Sequence, residues 1–178
     1  RFYDFNNYMK NLNDDDFVFL YDLDVWFNKN PIDGFDFNKV KKCGFGIDYP
    51  GMKFDFFNCD ESFRQQYEVN TTALFEKTNS FINCGLVCGR VDKLIPRIQG
   101  MIKMFEDKTL STARGSDKIY FNLTADVEND VFDLEKLNYL ANRPLDNLEE
   151  IVGIHMVESE RQSSNFFKNH YPEIWELS

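Results

Sequence analysis

Two aspartates two residues apart, Asp22 and Asp24, are the residues of this chain best suited to chemistry. Each carboxylate is a hard oxygen donor. At this spacing the pair suits Mg²⁺ or Mn²⁺, which would share its remaining positions with phosphate oxygens and water. The bare pattern carries little weight. The chain has 18 Asp among 178 residues, so roughly two D-x-D matches arise by chance. A second does occur, at Asp14 and Asp16, in a polar run that reads as a solvated turn. Context favours the other pair. Asp22 follows the apolar run Phe17-Val18-Phe19-Leu20-Tyr21, the pattern of a strand buried on both faces. Open α/β sheets place ligands at the carboxyl ends of such strands. In extended chain, residues two apart point the same way, so the two carboxylates are expected to converge while Leu23 turns into the core. The plain alternative is a pair of strand-end carboxylates facing solvent.

The elements that must position this pair are only partly marked. The opening stretch from Phe2 to Leu12 reads as helix, and Pro31 stops regular structure after Val25-Trp26-Phe27. A short strand is expected near Gly44 to Ile47, a helix from Glu61 to Glu68, and a buried strand at Leu86-Val87-Cys88. The clearest periodicity follows Gly89. Val91, Leu94, Ile95, Ile98, Met101, Ile102 and Phe105 form one apolar stripe at spacings of three and four, with Pro96 marking a bend or a later start. Gly115-Ser116 introduces a helix over about Asp117 to Leu123, with Ser116 as its cap. Ile151 to Ile154 reads as a strand leading into His155, and Asn165 to Ser178 as a terminal helix. Strands alternating with helices predict an α/β fold with a mostly parallel central sheet flanked by helices, in a single domain over 1–178.

Other residues have both a chemical and a plain reading. His155, at a strand end, is either a ligand or a hydrogen-bonded structural residue. His170, amid polar neighbours, reads as surface. Asp117 could contact a ligand or serve only the helix dipole, and Asn83 with Gly85 could form a site or a tight turn. Arg90 and Lys93 could offer charge to a phosphate, though exposed cations are common.

Composition narrows the field. Hydrophobic content of 43% and aromatic content of 16% describe a folded chain with a real core. A formal charge of −10 disfavours nucleic acid as a partner. A protein this acidic that handles an anionic diphosphate needs local correction, most simply a divalent cation. Cys43, Cys59, Cys84 and Cys88 include no C-x-x-C pair, and with two His a structural zinc site is disfavoured. Reduced core cysteines are the favoured reading, with disulfides left open. Sequons at Asn70 and Asn122 decide nothing. No apolar run is long enough to span a membrane. The chain opens on Arg1 within a helical pattern and reads as a fragment.

Taken in order, four blocks resemble the GT-A-fold glycosyltransferases. Phe17 to Pro31, with Asp22-Leu23-Asp24 at its centre, looks like that family's metal-binding segment. Asn83-Cys84-Gly85 with Leu86-Val87-Cys88-Gly89 resembles its N-x-G strand on the acceptor side. Asp117-Lys118-Ile119-Tyr120-Phe121-Asn122 is similar to its sugar-contacting helix start, and Ile151 to His155 to its late strand. The resemblance implies a GT-A, nucleotide-diphospho-sugar transferase type of sheet, lacking part of its N-terminal nucleotide-binding half. It also implies transfer of a sugar from a nucleotide-diphosphate donor to a hydroxyl of a glycan, protein or lipid. Mn²⁺ or Mg²⁺ would be held by Asp22, Asp24 and His155, the donor by Asp22, Asp24 and Gly85, and the reacting groups by Asp117 and Asn83. Two features depart from the pattern. Lys118 stands where the family commonly has Gln, and few residues precede the D-x-D. Two other functions fit the residues. One is a phosphatase of the haloacid-dehalogenase type with Asp22 as covalent nucleophile. The other is a glycan-binding module without turnover.

Overall fold

The structure is a computed structural model. It describes residues 1–33, 35–48, 61–110, 115–132, 134, 136–137, 139–140, 147–156 and 168–172, with the side chains of 62–64, 66–70 and 148 left aside. Among the described residues, four α-helices and six strands run in the order α1 (Phe2–Met9), β1 (Phe17–Tyr21), β2 (Val25–Phe27), β3 (Cys43–Ile47), α2 (Glu61–Thr78), β4 (Ile82–Arg90), α3 (Val91–Glu106), α4 (Ser116–Thr124), β5 (Tyr139–Leu140) and β6 (Gly153–His155). The fold is α/β, but the sheet is not the parallel one expected. β4 is the central strand of a three-stranded sheet ordered β1-β4-β3, and both neighbours run antiparallel to it. A second small sheet, β2-β6-β5, is mixed, with β6 antiparallel to β2 and parallel to β5. Short apolar runs report burial, whichever way the neighbour points, so their alternation with helices left strand direction open.

The first sheet is buried on both faces, as the apolar runs require. On one side Val18, Leu20, Phe45, Ile82 and Val87 meet the helical stripe Val91, Leu94, Ile98, Met101 and Ile102, together with Phe2 and Met9 from α1. The other face packs Leu86 and Cys88 against Val40, Leu134 and Leu137, with Phe17, Phe19 and Tyr21 at its rim. The alternation along β1 is therefore a division between two cores.

Helix α3 begins at Val91 and continues unbroken past Pro96, at the cost of one backbone hydrogen bond to the residue four earlier. Its buried stripe outweighs that loss. α1 is shorter than expected and stops at Met9. α2 is longer, reaching Thr78, where the Thr78 hydroxyl donates to the Leu74 carbonyl. β4 extends over Ile82–Arg90, well beyond Leu86–Cys88. α4 starts at Ser116, and its N-cap is Gly115 at φ 87°, a left-handed conformation that suits glycine better than the expected cap Ser116. The expected terminal helix over Asn165 to Ser178 lies outside the described residues apart from 168–172, where Lys168 to His170 form a helical turn with His170 exposed. Among the described residues no helix is long and apolar enough to cross a membrane.

Cys43, Cys84 and Cys88 are buried free thiols. Burial pushes all three above the usual thiol range, Cys43 to about 12. Cys59 lies outside the described residues, as does the side chain of the sequon Asn70. The other sequon residue, Asn122, is fully buried. Its side chain accepts from the Ile82 backbone N–H at 2.7 Å and donates to the Ile82 carbonyl at 3.1 Å. This pair of bonds docks α4 onto β4 in the manner of one more strand.

Candidate metal centre

The two sheets meet at the turn between β1 and β2. The Asp22 backbone N–H donates to the Gly85 carbonyl of β4, 3.2 Å away, and the Met156 N–H just past β6 donates to the Asp24 carbonyl at 2.9 Å. Asp22 is thus tied to the first sheet and Asp24 to the second. The segment between them is a turn, closed by a bond from Val25 N–H to the Asp22 carbonyl at 3.3 Å. Leu23 caps that turn, fully exposed, and does not enter the core as expected. The carboxylates converge because the chain folds back at this seam, not because they share one face of an extended strand.

His155 completes the cluster from β6, directly across from Val25 in the register. Its Nε2 lies 3.2 Å from an Asp24 oxygen and 3.7 Å from Asp22 Oδ2. One ligand atom from each of Asp22, Asp24 and His155 falls within 4.8 Å of the others. Their exposures grade outward. The His155 side chain is 7% exposed, Asp22 23% and Asp24 54%, so the group opens to solvent on the Asp24 side.

Hydrogen bonding decides how the imidazole is protonated. The Asn83 Oδ1 accepts from the Gly85 backbone N–H at 2.9 Å, while its Nδ2 donates to Asp48 Oδ1 at 3.0 Å. The same Oδ1 lies 3.0 Å from His155 Nδ1. An oxygen facing that nitrogen requires Nδ1 to be the donor. In the neutral ring Nε2 then carries the lone pair and faces two carboxylates. Burial, the largest influence, lowers the His155 pKa, against the opposing pull of Asp24 and Asp48. Three electron-rich groups therefore surround a point that calls for positive charge, either a proton on Nε2 or a cation.

A divalent cation fits this donor set. The two carboxylates suit Mg²⁺ or Mn²⁺, and the imidazole has its other nitrogen anchored, as ligating histidines usually do. Gly85 makes the arrangement feasible. A Cβ at that position would lie 2.1 Å from His155 Nδ1 and 2.3 Å from Cε1, so the ring occupies the room a side chain would need.

Arg1 and Asp117 stand beside the cluster. The Arg1 guanidinium pairs with Asp22 Oδ1 and, at 2.5 Å, with Asp117 Oδ2. Asp22 therefore keeps Oδ2 on the His155 side. Asp117 also accepts from the Lys118 backbone N–H at 2.9 Å, at the start of α4. Lys118 itself reaches across to pair with Asp48, which is buried. Asp48 and Arg1 are parts of this neighbourhood that reading the sequence for motifs did not find, and Lys118 entered that reading only as a departure from the family pattern. A lone acid after a short strand and a first-residue cation carry no distinguishing pattern. Arg90 and Lys93 lie elsewhere, both pairing with Asp92 at the start of α3.

A pocket of about 400 Å³ is lined by Ile47, Lys77, Thr78, Asp130, Val131 and Phe132. Its buried carboxylate, Asp130, is already matched by Arg97 at 2.6 Å and by the backbone N–H groups of Asp126 and Cys43 at 2.7 and 3.2 Å.

No known protein family matches the sequence, and no curated protein matches it. Among solved structures, the chain is similar to the galactosyltransferase LgtC in complex with donor and acceptor sugar analogs. That match has a TM-score of 0.48 and 15% identity, over 98% of this chain and 69% of that one. An active-site mutant of LgtC, Q189E, matches with a TM-score of 0.45 and 13% identity over the same shares. At that distance the likeness carries no inference about chemistry.

Proposed function

We propose that this chain carries the metal-binding core of a glycosyltransferase that uses a nucleotide-diphosphate sugar and a divalent cation. One observation supports it above the rest: Asp22, Asp24 and the lone-pair nitrogen of His155 face one another at the seam between two sheets, with Asp24 exposed to solvent. In this reading Asp22 Oδ2, an Asp24 carboxylate oxygen and His155 Nε2 hold Mn²⁺ or Mg²⁺. When bound, that cation supplies charge against the diphosphate departing as the glycosidic bond breaks. Arg1 adds a fixed positive charge beside Asp22 and steadies Asp117. In the same reading Asp117, at the start of α4, accepts from a hydroxyl of the sugar or acceptor. Asn83 acts one step back, because its carbonyl is committed to Gly85 and His155. Gly85 serves the donor site by giving His155 its place.

Turnover of nucleotide sugars with Mn²⁺, with and without chelator, tests the reading. The native chain is expected to release nucleoside diphosphate only with the metal, and Asp24→Ala to abolish that release while keeping the native circular dichroism. Full activity in chelator would defeat the proposal.

A further inference from the structure

Beyond the candidate ligands, a chain of polar groups runs away from the cluster, from the buried His155 to Asn83, from Asn83 to the buried Asp48, and from Asp48 to the partly exposed Lys118. We infer that Asp48 and Lys118 are positioning residues that hold His155 in the tautomer whose Nε2 lone pair faces Asp22 and Asp24, an inference that deepens the metal-site reading above.

Two demands compete for the neutral imidazole. Asp24 and Asp22 are acceptors facing Nε2. Left alone, they would draw the ring proton onto that nitrogen and form a hydrogen bond, which removes the lone pair a metal needs. Asn83 Oδ1, on the other side of the ring, draws the proton onto Nδ1. The outcome depends on which end of the Asn83 amide faces His155. An amide is nearly symmetric in shape, so its neighbours must choose. The Asp48 carboxylate, paired with Lys118, accepts from the NH₂ end and leaves the oxygen for the imidazole. The Gly85 N–H favours the same orientation from the backbone.

Asp48 is itself costly to bury. It is 4% exposed, and a buried carboxylate without a cation is strongly unfavourable. Lys118 supplies that charge from α4. The Asp48 backbone is fixed as well, since its N–H donates to the Phe81 carbonyl at 2.8 Å and its carbonyl accepts from the Ser80 hydroxyl at 2.7 Å. The carboxylate thus sits on a rigid support, as an orienting group outside the ligands must.

Nitrogen NMR of the His155 ring in metal-free, ¹⁵N-His-labelled protein at about pH 8, where histidine is neutral, reads this directly. Mn²⁺ affinity by electron paramagnetic resonance gives the second readout. The native ring is expected to be protonated at Nδ1. Asp48→Asn, nearly isosteric but able to donate, is expected to shift the proton population toward Nε2 and to weaken Mn²⁺ binding about tenfold. Lys118→Met is expected to move both readouts the same way, and Lys118→Arg, which keeps the charge, to restore them. If Asp48→Asn does not fold, the two Lys118 variants carry the test. A native ring protonated at Nε2, or ring shifts unchanged in Asp48→Asn and Lys118→Met, would overturn the inference. A native Nδ1–H ring that responds to these variants in a protein that binds no Mn²⁺ would uphold the positioning and instead defeat the metal reading.

Discussion

Gly85→Ala tests the centre most sharply, because it adds one methyl group at the tightest contact in the site. The new Cβ would sit 2.1 Å from His155 Nδ1, 2.3 Å from Cε1 and 2.8 Å from Cγ. Non-bonded heavy atoms settle at about 3.5 Å or more, so the ring must retreat by about 1.4 Å, the difference between those two distances. It has little room to do so, being 7% exposed and anchored to Asn83 at 3.0 Å. A shift of that size breaks the anchor and far exceeds the tolerance of about 0.2 Å that a metal site allows its ligands. Mn²⁺ affinity is expected to fall about 10- to 100-fold, and overpacking to cost about 1–3 kcal/mol of stability. Electron paramagnetic resonance titration with Mn²⁺, alongside thermal melting, measures both. Gly115→Ala is the matched control. It meets nothing within 4 Å but sits at φ 87°, so it should cost about 1–2 kcal/mol of backbone strain and leave Mn²⁺ affinity alone. A folded Gly85→Ala protein that binds Mn²⁺ as tightly as the native one would refute the reasoning.

The His155 ring has its pKa lowered by burial. Mn²⁺ affinity should therefore be level above about pH 6.5 and fall on acidification as protons compete for Nε2, which calorimetric titrations across pH would show. The sign for stability is the same. A depressed histidine stabilises the fold above its unfolded pKa and loses that contribution as pH falls toward the folded one. The metal-free protein should thus melt lower in acid, and His155→Gln should flatten that dependence. Arg97→Met leaves the fully buried Asp130 carboxylate without its cation and should cost about 3 kcal/mol, the low end for a broken buried pair, since two backbone donors remain; urea unfolding measures it. Asn122→Ala deprives the Ile82 N–H and carbonyl of their partners and should cost about 1–3 kcal/mol for each buried group left unmatched, read by the same assay.

What the chain disclosed in one dimension was burial and local geometry. Phe17 to Tyr21 and the stripe from Val91 to Phe105 were plain, because hydrophobic periodicity acts over a few residues. Strand direction was not, since antiparallel pairing of Leu20 with Val87 or Phe45 with Val87 is settled by contacts far apart in the chain. Leu23 shows the limit at finer scale. Strand geometry assigned it to the core, yet the seam between two sheets demands a turn there, and the turn exposes it. Within the site, Asp22 and Asp24 could be named from their types and places, and His155 as a ligand only through the family resemblance. Asp48 could not, because its importance lies in partners contributed by Asn83 on β4 and Lys118 on α4. Asn122 is a further case, since its sequon decided nothing while its side chain holds a helix against a strand.

Crystals grown with Mn²⁺ and a nucleoside diphosphate, measured at the manganese absorption edge, put the central claim to its most direct trial. The account expects one anomalous peak within coordination distance of Asp22 Oδ2, an Asp24 oxygen and His155 Nε2. Manganese bound elsewhere, or no peak between these three side chains at saturating Mn²⁺, would contradict it.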